Sequence, residues 1–197
     1  MKASMDMPTL VLVMVMVCWF VFALTFILRK KPAAAPDSKR DRSSIPGVLL
    51  QALSYAIIWT VRRPFVSPFV SFSKTLALFL GIVAIVSAIV SVFIVMAAVK
   101  TLGKEWSITA RVVTDHKLAT EGPYRFVRHP IYTGMLGMLI ATGIAVSYWP
   151  ALLVALVVFF LGTAIRIRSE ERLLRETFGL EFETYARSVP AIVPGLY

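Results

Sequence analysis

Residues 131–165 read IYTGMLGMLIATGIAVSYWPALLVALVVFFLGTAI and contain the two apolar runs that decide the fold. The runs, at residues 131–146 and 150–165, are joined by only three residues, Ser147, Tyr148 and Trp149. This pattern predicts a tight helical hairpin with aromatic residues at an interfacial turn. Pro130 and Pro150 stand where the first helical residue is expected, a position at which the N–H that proline lacks has no intrahelical partner. Both helices of the hairpin are therefore predicted to begin cleanly.

Composition indicates that this hairpin belongs to a membrane protein. Of 197 residues, 58% are hydrophobic and 16% are charged, whereas soluble domains have about half and about a quarter. Three more apolar runs precede the hairpin, at residues 7–28, 47–61 and 75–99, and about 20 apolar residues cross a hydrocarbon core of about 30 Å. We therefore predict an all-α, polytopic membrane helix bundle with about five transmembrane helices. The second run is the weakest, because it is short and carries Gln51 and Ser54.

Two regions are expected along the chain. Residues 1–99 are predicted to form the N-terminal transmembrane helices, about three spans. Residues 100–197 are predicted to hold the polar motifs, the hairpin and a C-terminal cytoplasmic helix that stops near Gly179. Cys18 is the only cysteine, and no Cys, Asp or Glu joins His116 or His129 at metal-ligand spacing. Neither a disulfide nor a metal site is expected.

The net charge is +10, and the Lys and Arg residues stand at the ends of the apolar runs, as in a membrane protein, rather than on one nucleic-acid-binding face. We therefore expect contact with anionic lipid headgroups and none with nucleic acid. With five spans and the N-terminus outside, most of the 21 Lys and Arg residues are cytoplasmic, the exceptions being Lys2, Arg62, Arg63 and Lys74. Cytoplasmic loops carry such an excess of cations. The count predicts a cytoplasmic C-terminus, in the inner membrane if the chain is bacterial.

A polar segment leads into the hairpin and is the first candidate site. Pro130 pushes His129 away from helical geometry and holds it extended at the start of a helix, where free N–H groups attract an anion. Arg128 adds a positive charge, and Tyr124 and Tyr132 supply aromatic faces with polar tips. The alternative interpretation is that Arg128 and Tyr132 only anchor the helix at the lipid headgroups.

A second polar cluster follows the hairpin. Arg166 and Glu170 are four residues apart on one helical face, with Glu171 beside them. The order from Arg166 to Glu170 is the less favourable one for a helix ion pair, which favours a ligand role for both residues. The alternative is a solvated salt-bridge ladder, for which Glu171 and Arg175 have the favourable order.

Taken together, these motifs resemble the isoprenylcysteine carboxyl methyltransferase family and its phospholipid methyltransferase relatives. The resemblance covers about the C-terminal half, from Leu102 to Pro194. It depends on five elements in the family's order: Leu102-Gly103-Lys104-Glu105-Trp106-Ser107, His116-Lys117-Leu118, Gly122-x-Tyr124 leading into Arg128-His129-Pro130-x-Tyr132-x-Gly134, Arg166-x-x-x-Glu170-Glu171, and Phe178-Gly179-x-x-Phe182-x-x-Tyr185. The N-terminal spans match only in hydropathy.

The resemblance implies an integral membrane enzyme that transfers a methyl group from S-adenosylmethionine to a lipid-like acceptor. The family's cofactor-bordering loop corresponds here to His116, Lys117, Leu118 and Ala119, with Tyr124. The helix start lines the cofactor with His129, Pro130, Ile131 and Tyr132. Glu170 closes the site and Arg166 lies near the acceptor, so these two are the expected catalytic residues.

The residue chemistry is compatible with that cofactor, whose carboxylate, ammonium and sulfonium must all be satisfied beside lipid. We expect the N–H groups at the helix start, with His129 or Arg128, to meet the carboxylate. Glu170, with Glu171 beside it, suits a cationic or hydroxyl group. The adenine or the sulfonium is expected between two aromatic rings, those of Tyr124 and Tyr132.

Several functions remain open on the sequence alone. An O-methyltransferase acting on an isoprenylcysteine-like carboxylate is favoured, because an ionised carboxylate needs no base and Arg166 is able to orient it with two parallel hydrogen bonds. A phospholipid N-methyltransferase, an NADPH-dependent sterol-type reductase and a non-enzymatic scaffold are the alternatives. The expected partners are membrane lipids and a lipophilic small molecule or a prenylated or lipid acceptor.

Overall fold

The computed structural model of this chain describes residues 6–28, 39–64, 69, 73–103, 111–112 and 118–195. His116 and Lys117, two of the predicted cofactor ligands, lie outside these residues. The described part is helical, with α1 (Met7–Ile27), α2 (Ile45–Thr60), α3 (Lys74–Leu102), α4 (Pro130–Val146), α5 (Trp149–Phe178) and α6 (Leu180–Ser188). Short 3-10 helices occupy Arg42–Ser44 and Gly122–Arg125, and one antiparallel pair joins β1 (Lys39–Arg40) to β2 (Arg111–Val112). The predicted all-α class is confirmed.

Helix lengths and apolar faces identify a multi-pass membrane protein. Within the described residues, four helices are long and apolar enough to span a membrane: Met7–Ile27, Arg42–Thr60, Lys74–Leu102 and Trp149–Phe178. The fifth apolar helix, α4, has 17 residues, and at 1.5 Å per residue it is about 25 Å long. It is thus a few ångströms shorter than a hydrocarbon core of about 30 Å.

The ends of the hairpin helices follow their proline and glycine residues. Pro130 is the first residue of α4, and Pro150 lies in the first turn of α5. The last turns of α5 extend beyond the apolar run, and Gly179 ends the helix with a φ of 51°, which an L side chain adopts only with strain. The predicted hairpin and its stop at Gly179 are confirmed.

The two hairpin helices each take their most extensive contacts from another helix, α4 from α3 and α5 from α2. A Cβ atom added at Gly134 would collide with the side chain of Val95, and one at Gly137 with the hydroxyl of Ser91. The glycines of α4 therefore permit close packing against α3, as membrane helices commonly use small residues. Helix α1 packs on the same pair, α3 and α4.

Helix α2 approaches α5 equally closely, and its polar residues lie in the interface. A Cβ at Gly47 would come within 2.6 Å of the Gly162 carbonyl oxygen, and one at Gly162 within 2.8 Å of the Gly47 carbonyl oxygen. Gln51 and Ser54 are buried on α2. The polarity that makes this span weak in the sequence is thus directed inward, because hydrogen bonds are available there and not in lipid.

Candidate functional site

The two polar clusters of the sequence meet where α4 begins and where α5 leaves its apolar run. His129 and Tyr132 come from the start of α4, and Arg166, Glu170 and Glu171 come from α5. His129, Arg166 and Glu171 are each less than a tenth exposed. The hairpin brings these residues together because its two helices run antiparallel and are joined by a very short turn.

His129 lies between the two carboxylates. Its Nδ1 is 3.4 Å from Glu170 Oε2 and its Nε2 is 3.3 Å from Glu171 Oε1. The ring stacks on Tyr132, with centroids 5.6 Å apart and planes 20° apart. Burial lowers the pKa of His129, but hydrogen bonds and charge from the two carboxylates outweigh it, so the pKa is raised. His129 therefore favours the protonated form.

The backbone at His129 is non-helical, as Pro130 predicts, but it does not adopt the extended conformation expected from the sequence. Its φ is −125° and its ψ is 62°, and its N–H donates to the carbonyl of Ala191 at 2.9 Å. The N–H groups of Tyr132 and Thr133 both donate to the His129 carbonyl, at 3.0 and 3.2 Å. The helix start is thus partly self-capped, and fewer of its N–H groups are open to a ligand than the sequence suggests.

Arg166 is the centre of the site's polar contacts. Its Nη1 donates to Gln51 Oε1 at 2.9 Å, and its Nη2 is 3.6 Å from Glu170 Oε1. Its Cζ lies 4.8 Å from the centroid of the Tyr132 ring, and the Tyr132 hydroxyl donates to Glu170. The ion pair between Arg166 and Glu170 forms despite its less favourable helical order, because the aromatic ring and Gln51 hold the guanidinium beside the carboxylate.

Arg128 clamps the C-terminal segment onto α5. Its Nε donates to Glu171 Oε1 at 2.9 Å, and its Nη1 donates to the carbonyls of Ala186, at 2.8 Å, and Val189. Arg175 Nη2 lies 3.1 Å from the other oxygen of Glu171. Glu171 therefore takes part in the salt-bridge ladder that the sequence offered as an alternative, while a cofactor role for Arg128 and Glu171 stays a prediction.

The remaining predicted cofactor ligands lie on the approach to α4. Leu118 and Ala119 are half-buried, Tyr124 is buried in the short helix Gly122–Arg125, and its carbonyl accepts a hydrogen bond from Tyr185 at 2.7 Å. Pro130 is buried and Ile131 is half-buried at the start of α4. Their contacts with a cofactor stay predictions.

Two further polar residues reach the site from the N-terminal half. Gln51 contacts Arg166, and Asp41 accepts a hydrogen bond from Ser169 at 2.7 Å. Hydrogen bonds from Ser43, then from Ser169, hold the pKa of Asp41 below its usual value. The only sequence signal for Gln51 is that it is a polar residue inside an apolar run. Within the described residues, no group of three or more His, Cys, Asp or Glu side chains is arranged to hold a metal ion.

Comparison with known proteins identifies relatives of this arrangement. Residues 81–176 match the sequence model of the isoprenylcysteine carboxyl methyltransferase (ICMT) family. The chain is 33% identical over 118 residues to a probable protein-S-isoprenylcysteine O-methyltransferase of Oryza sativa subsp. indica, an alignment that covers 59% of this chain and 62% of that protein. It is 35% identical over 99 residues to protein-S-isoprenylcysteine O-methyltransferase B of Arabidopsis thaliana, covering 49% and 50%. The resemblance inferred from the motifs is confirmed.

A relative with a different name is also similar. The chain is 34% identical over 114 residues to the nickel-cobalt-cadmium resistance protein NccN of Alcaligenes xylosoxydans xylosoxydans, covering 56% of this chain and 52% of that protein. The chain thus spans between half and two thirds of the length of these relatives. The cluster from His129 to Glu171 lies inside the matched residues, whereas Gln51 lies outside them.

Proposed function

We propose that this chain, whose residues 81–176 belong to the isoprenylcysteine carboxyl methyltransferase family, transfers a methyl group from S-adenosylmethionine to the carboxylate of a lipophilic acceptor. The observation that carries the proposal is the network of Arg166, Glu170, Tyr132 and His129 at the end of the hairpin where α4 begins, in which all but the partly exposed Glu170 are buried. Ionisable groups are rarely buried beside lipid unless they serve a function. This network lies within the residues that match the family.

The donor set suits the proposed cofactor. S-adenosylmethionine, when bound, supplies a methyl group on a positively charged sulfur. Glu170 offers negative charge to a cationic or hydroxyl group, and the stacked rings of His129 and Tyr132 offer aromatic faces. Positive charge for the cofactor's carboxylate is available from His129 and Arg128. Both residues already have carboxylate partners, His129 in Glu170 and Glu171 and Arg128 in Glu171, so the cofactor's carboxylate would compete with these contacts.

Arg166 is the residue that we assign to the acceptor. Its guanidinium is able to bind a carboxylate through two parallel hydrogen bonds, which fixes both the distance and the direction of the nucleophilic oxygen. Methyl transfer is an in-line displacement, and positioning supplies much of its acceleration. A carboxylate acceptor is ionised at neutral pH and needs no general base, whereas an amine acceptor would need a proton removed.

The proposed orientation places this site at the cytoplasmic side, with the N-terminus outside. Support comes from the excess of Lys and Arg in the loops on the side of the site. Reporter fusions that are active on only one side of the membrane test it. A reporter that is active only in the cytoplasm should work at the C-terminus, and activity of an external reporter there would reverse the assignment.

A cofactor screen separates this function from its alternatives. Purified protein in detergent is melted with S-adenosylmethionine, S-adenosylhomocysteine or NADPH, since a ligand that binds the folded state raises the melting temperature. We expect a shift with the first two. A shift with NADPH alone would instead support a sterol-type reductase, and no shift would support a scaffold. Transfer of a labelled methyl group to prenylated carboxylates, phospholipid amines and small lipophilic molecules then identifies the acceptor class.

Two substitutions test the assigned cofactor residues. We expect Glu170→Ala and His129→Ala to abolish measurable S-adenosylhomocysteine binding by calorimetry, because each removes a hydrogen-bonding partner of the network. The protein should still insert and fold. Glu181→Ala, at an exposed acid of α6, is the matched control and should bind normally. Unchanged affinity in the first two variants would contradict their assignment.

A further inference from the structure

Gln51 is a buried polar residue of α2 whose side-chain amide forms hydrogen bonds through both its nitrogen and its oxygen. Its side chain is 2% exposed. Its Nε2 donates to Thr163 Oγ1 at 2.8 Å, and its Oε1 accepts from Arg166 Nη1 at 2.9 Å. Both partners lie on α5, so this one side chain of the N-terminal region hydrogen-bonds two residues of the helix that carries the site.

The orientation of the Gln51 amide follows from these two partners. A guanidinium only donates hydrogen bonds, so the amide carbonyl must face Arg166. The amide NH2 group then faces Thr163, whose hydroxyl oxygen accepts. If the amide were turned over, its NH2 group would meet the guanidinium donors. Thr163 therefore reinforces the direction in which Gln51 holds Arg166.

Close packing of α2 on α5 makes this contact possible. A Cβ atom at Gly47 would lie 2.6 Å from Arg166 Cγ and 2.6 Å from the Gly162 carbonyl oxygen. Gly47 precedes Gln51 by about one helical turn, so both residues lie on the same face of α2. The aliphatic part of Arg166 thus lies against Gly47, while its charged end meets Gln51.

We propose that Gln51 is a positioning residue that fixes the Arg166 guanidinium and, because it is neutral, keeps the site selective for an anionic acceptor. The inference rests on the proposed function and adds α2 to the acceptor site. An arginine side chain has many rotamers. A hydrogen bond that already restricts them in the free protein reduces the conformational entropy that the side chain loses when the acceptor binds. A neutral amide directs the guanidinium without cancelling its charge. Arg166 already has one carboxylate neighbour, Glu170, so a second acid at position 51 would outweigh the single positive charge of the guanidinium.

The variants Gln51→Leu and Gln51→Glu separate position from charge. The first removes the hydrogen bond to Arg166 in a similar volume, and the second keeps an acceptor there but adds a negative charge. The probes are an S-farnesyl cysteine with a free carboxylate, as substrate, and its neutral primary amide, as competitive inhibitor. We expect either variant to raise the KM of the carboxylate about tenfold, the size of effect typical of a hydrogen bond to a charged group.

The remaining readouts distinguish positioning from damage to the fold. In Gln51→Glu, the inhibition constant of the neutral amide should stay within about twofold of wild type, because only a charged acceptor senses the added carboxylate. S-adenosylhomocysteine affinity should be unchanged in both variants. Ser54→Ala is the matched control, since Ser54 is buried on the same helix and its hydroxyl bonds to the Gln51 carbonyl within α2. It should retain the wild-type KM.

The outcomes keep this inference distinct from the proposed function. If the wild-type protein methylates no carboxylate acceptor, the proposed function fails. If it does so and folded Gln51→Leu has an unchanged KM, or loses cofactor affinity in parallel, only the role of Gln51 is overturned. Should Gln51→Leu fail to fold, Thr163→Val removes the residue that orients the amide, and an unchanged KM in that variant overturns the role equally.

Discussion

Two buried arginines, Arg63 and Arg166, lie near opposite ends of α4 and are held in different ways. At the C-terminal end, Arg63 Nε donates to the carbonyl of Ser147 and its Nη2 donates to that of Ile144, both at 2.6 Å. Arg166 instead meets side chains, the amide of Gln51 and the carboxylate of Glu170. The two ends of α4 are about 25 Å apart.

The difference teaches which arginine is able to exchange partners. The last carbonyls of a helix have no intrahelical donors, and a cation there is favoured by the helix dipole. Arg63 satisfies such carbonyls, which are fixed by the backbone, so its contacts lock the turn after α2 onto the hairpin. Of the partners of Arg166, Gln51 is held in place by Thr163, whereas the partly exposed carboxylate of Glu170 is able to turn aside when an acceptor arrives. We therefore expect Arg63 to govern stability and Arg166 to govern turnover.

Arg166→Lys gives the largest expected effect. Lysine keeps the charge but is unable to form two parallel hydrogen bonds with a carboxylate. We expect methyl transfer to fall by about 10³-fold, at the upper end of what loss of one oriented donor causes. S-adenosylhomocysteine affinity should be retained. Arg168→Lys, at an exposed position of the same helix, is the control. Near-normal turnover of Arg166→Lys would contradict the assignment of turnover to Arg166.

Arg63→Leu should act on stability instead. It leaves two helix-end carbonyls without their charged donor, and we expect the free energy of unfolding to fall by about 3 kcal/mol. The melting temperature in detergent measures the loss, and the specific activity of the folded fraction should stay near wild type. Arg62→Leu, at its exposed neighbour, should change stability much less. A stable but inactive Arg63→Leu would invert the assignment.

Gly47→Ala tests how closely Arg166 depends on helix packing. The added Cβ meets the Gly162 backbone oxygen and Arg166 Cγ, so we expect about 2 kcal/mol of destabilisation together with reduced turnover. The control is Gly81→Ala, where the Cβ meets only the side-chain ends of Val11 and Met7, at 3.0 and 3.1 Å. Flexible side chains give way more easily than backbone. Equal losses in the two variants would contradict this reasoning.

Glu183→Gln gives the smallest expected effect and extends the comparison to an exposed arginine. Arg175 Nε lies 2.8 Å from Glu183 Oε1, but the two side chains are 46% and 42% exposed. Water screens such pairs, so we expect a stability change of about 0.5 kcal/mol or less and unchanged turnover. A large loss in thermal melting would show that burial is not what separates the three arginines.

Much of the fold is predictable from local patterns. The apolar runs identify the helices that span the membrane, and Pro130 and Gly179 mark helix ends, because these signals depend on neighbouring residues alone. The clusters around His129 and Glu170 are predictable as a pair for the same reason. A short turn between two helices leaves little choice about which ends meet.

The partner choices are not predictable in this way. Helices that are neighbours in sequence form the hairpin, yet α5 packs most extensively against α2. The engagement of Arg128 by carbonyls at the C-terminal end of α6, rather than by the helix start alone, likewise depends on where a distant segment folds back. The extent of self-capping at His129 also becomes visible only when the backbone path is known.

Gln51 marks the boundary between the two kinds of information. Its amino-acid type within an apolar run already indicates a buried hydrogen bond, because an unpaired amide is unfavourable in lipid. Its partner is 115 residues away, and the contact arises only because two glycines let α2 and α5 come together. Hydropathy is a property of each segment by itself and can be read from the sequence before the fold is known. The pairing of one polar side chain with another is a property of the packed interface, where shape and hydrogen-bond direction must both be satisfied.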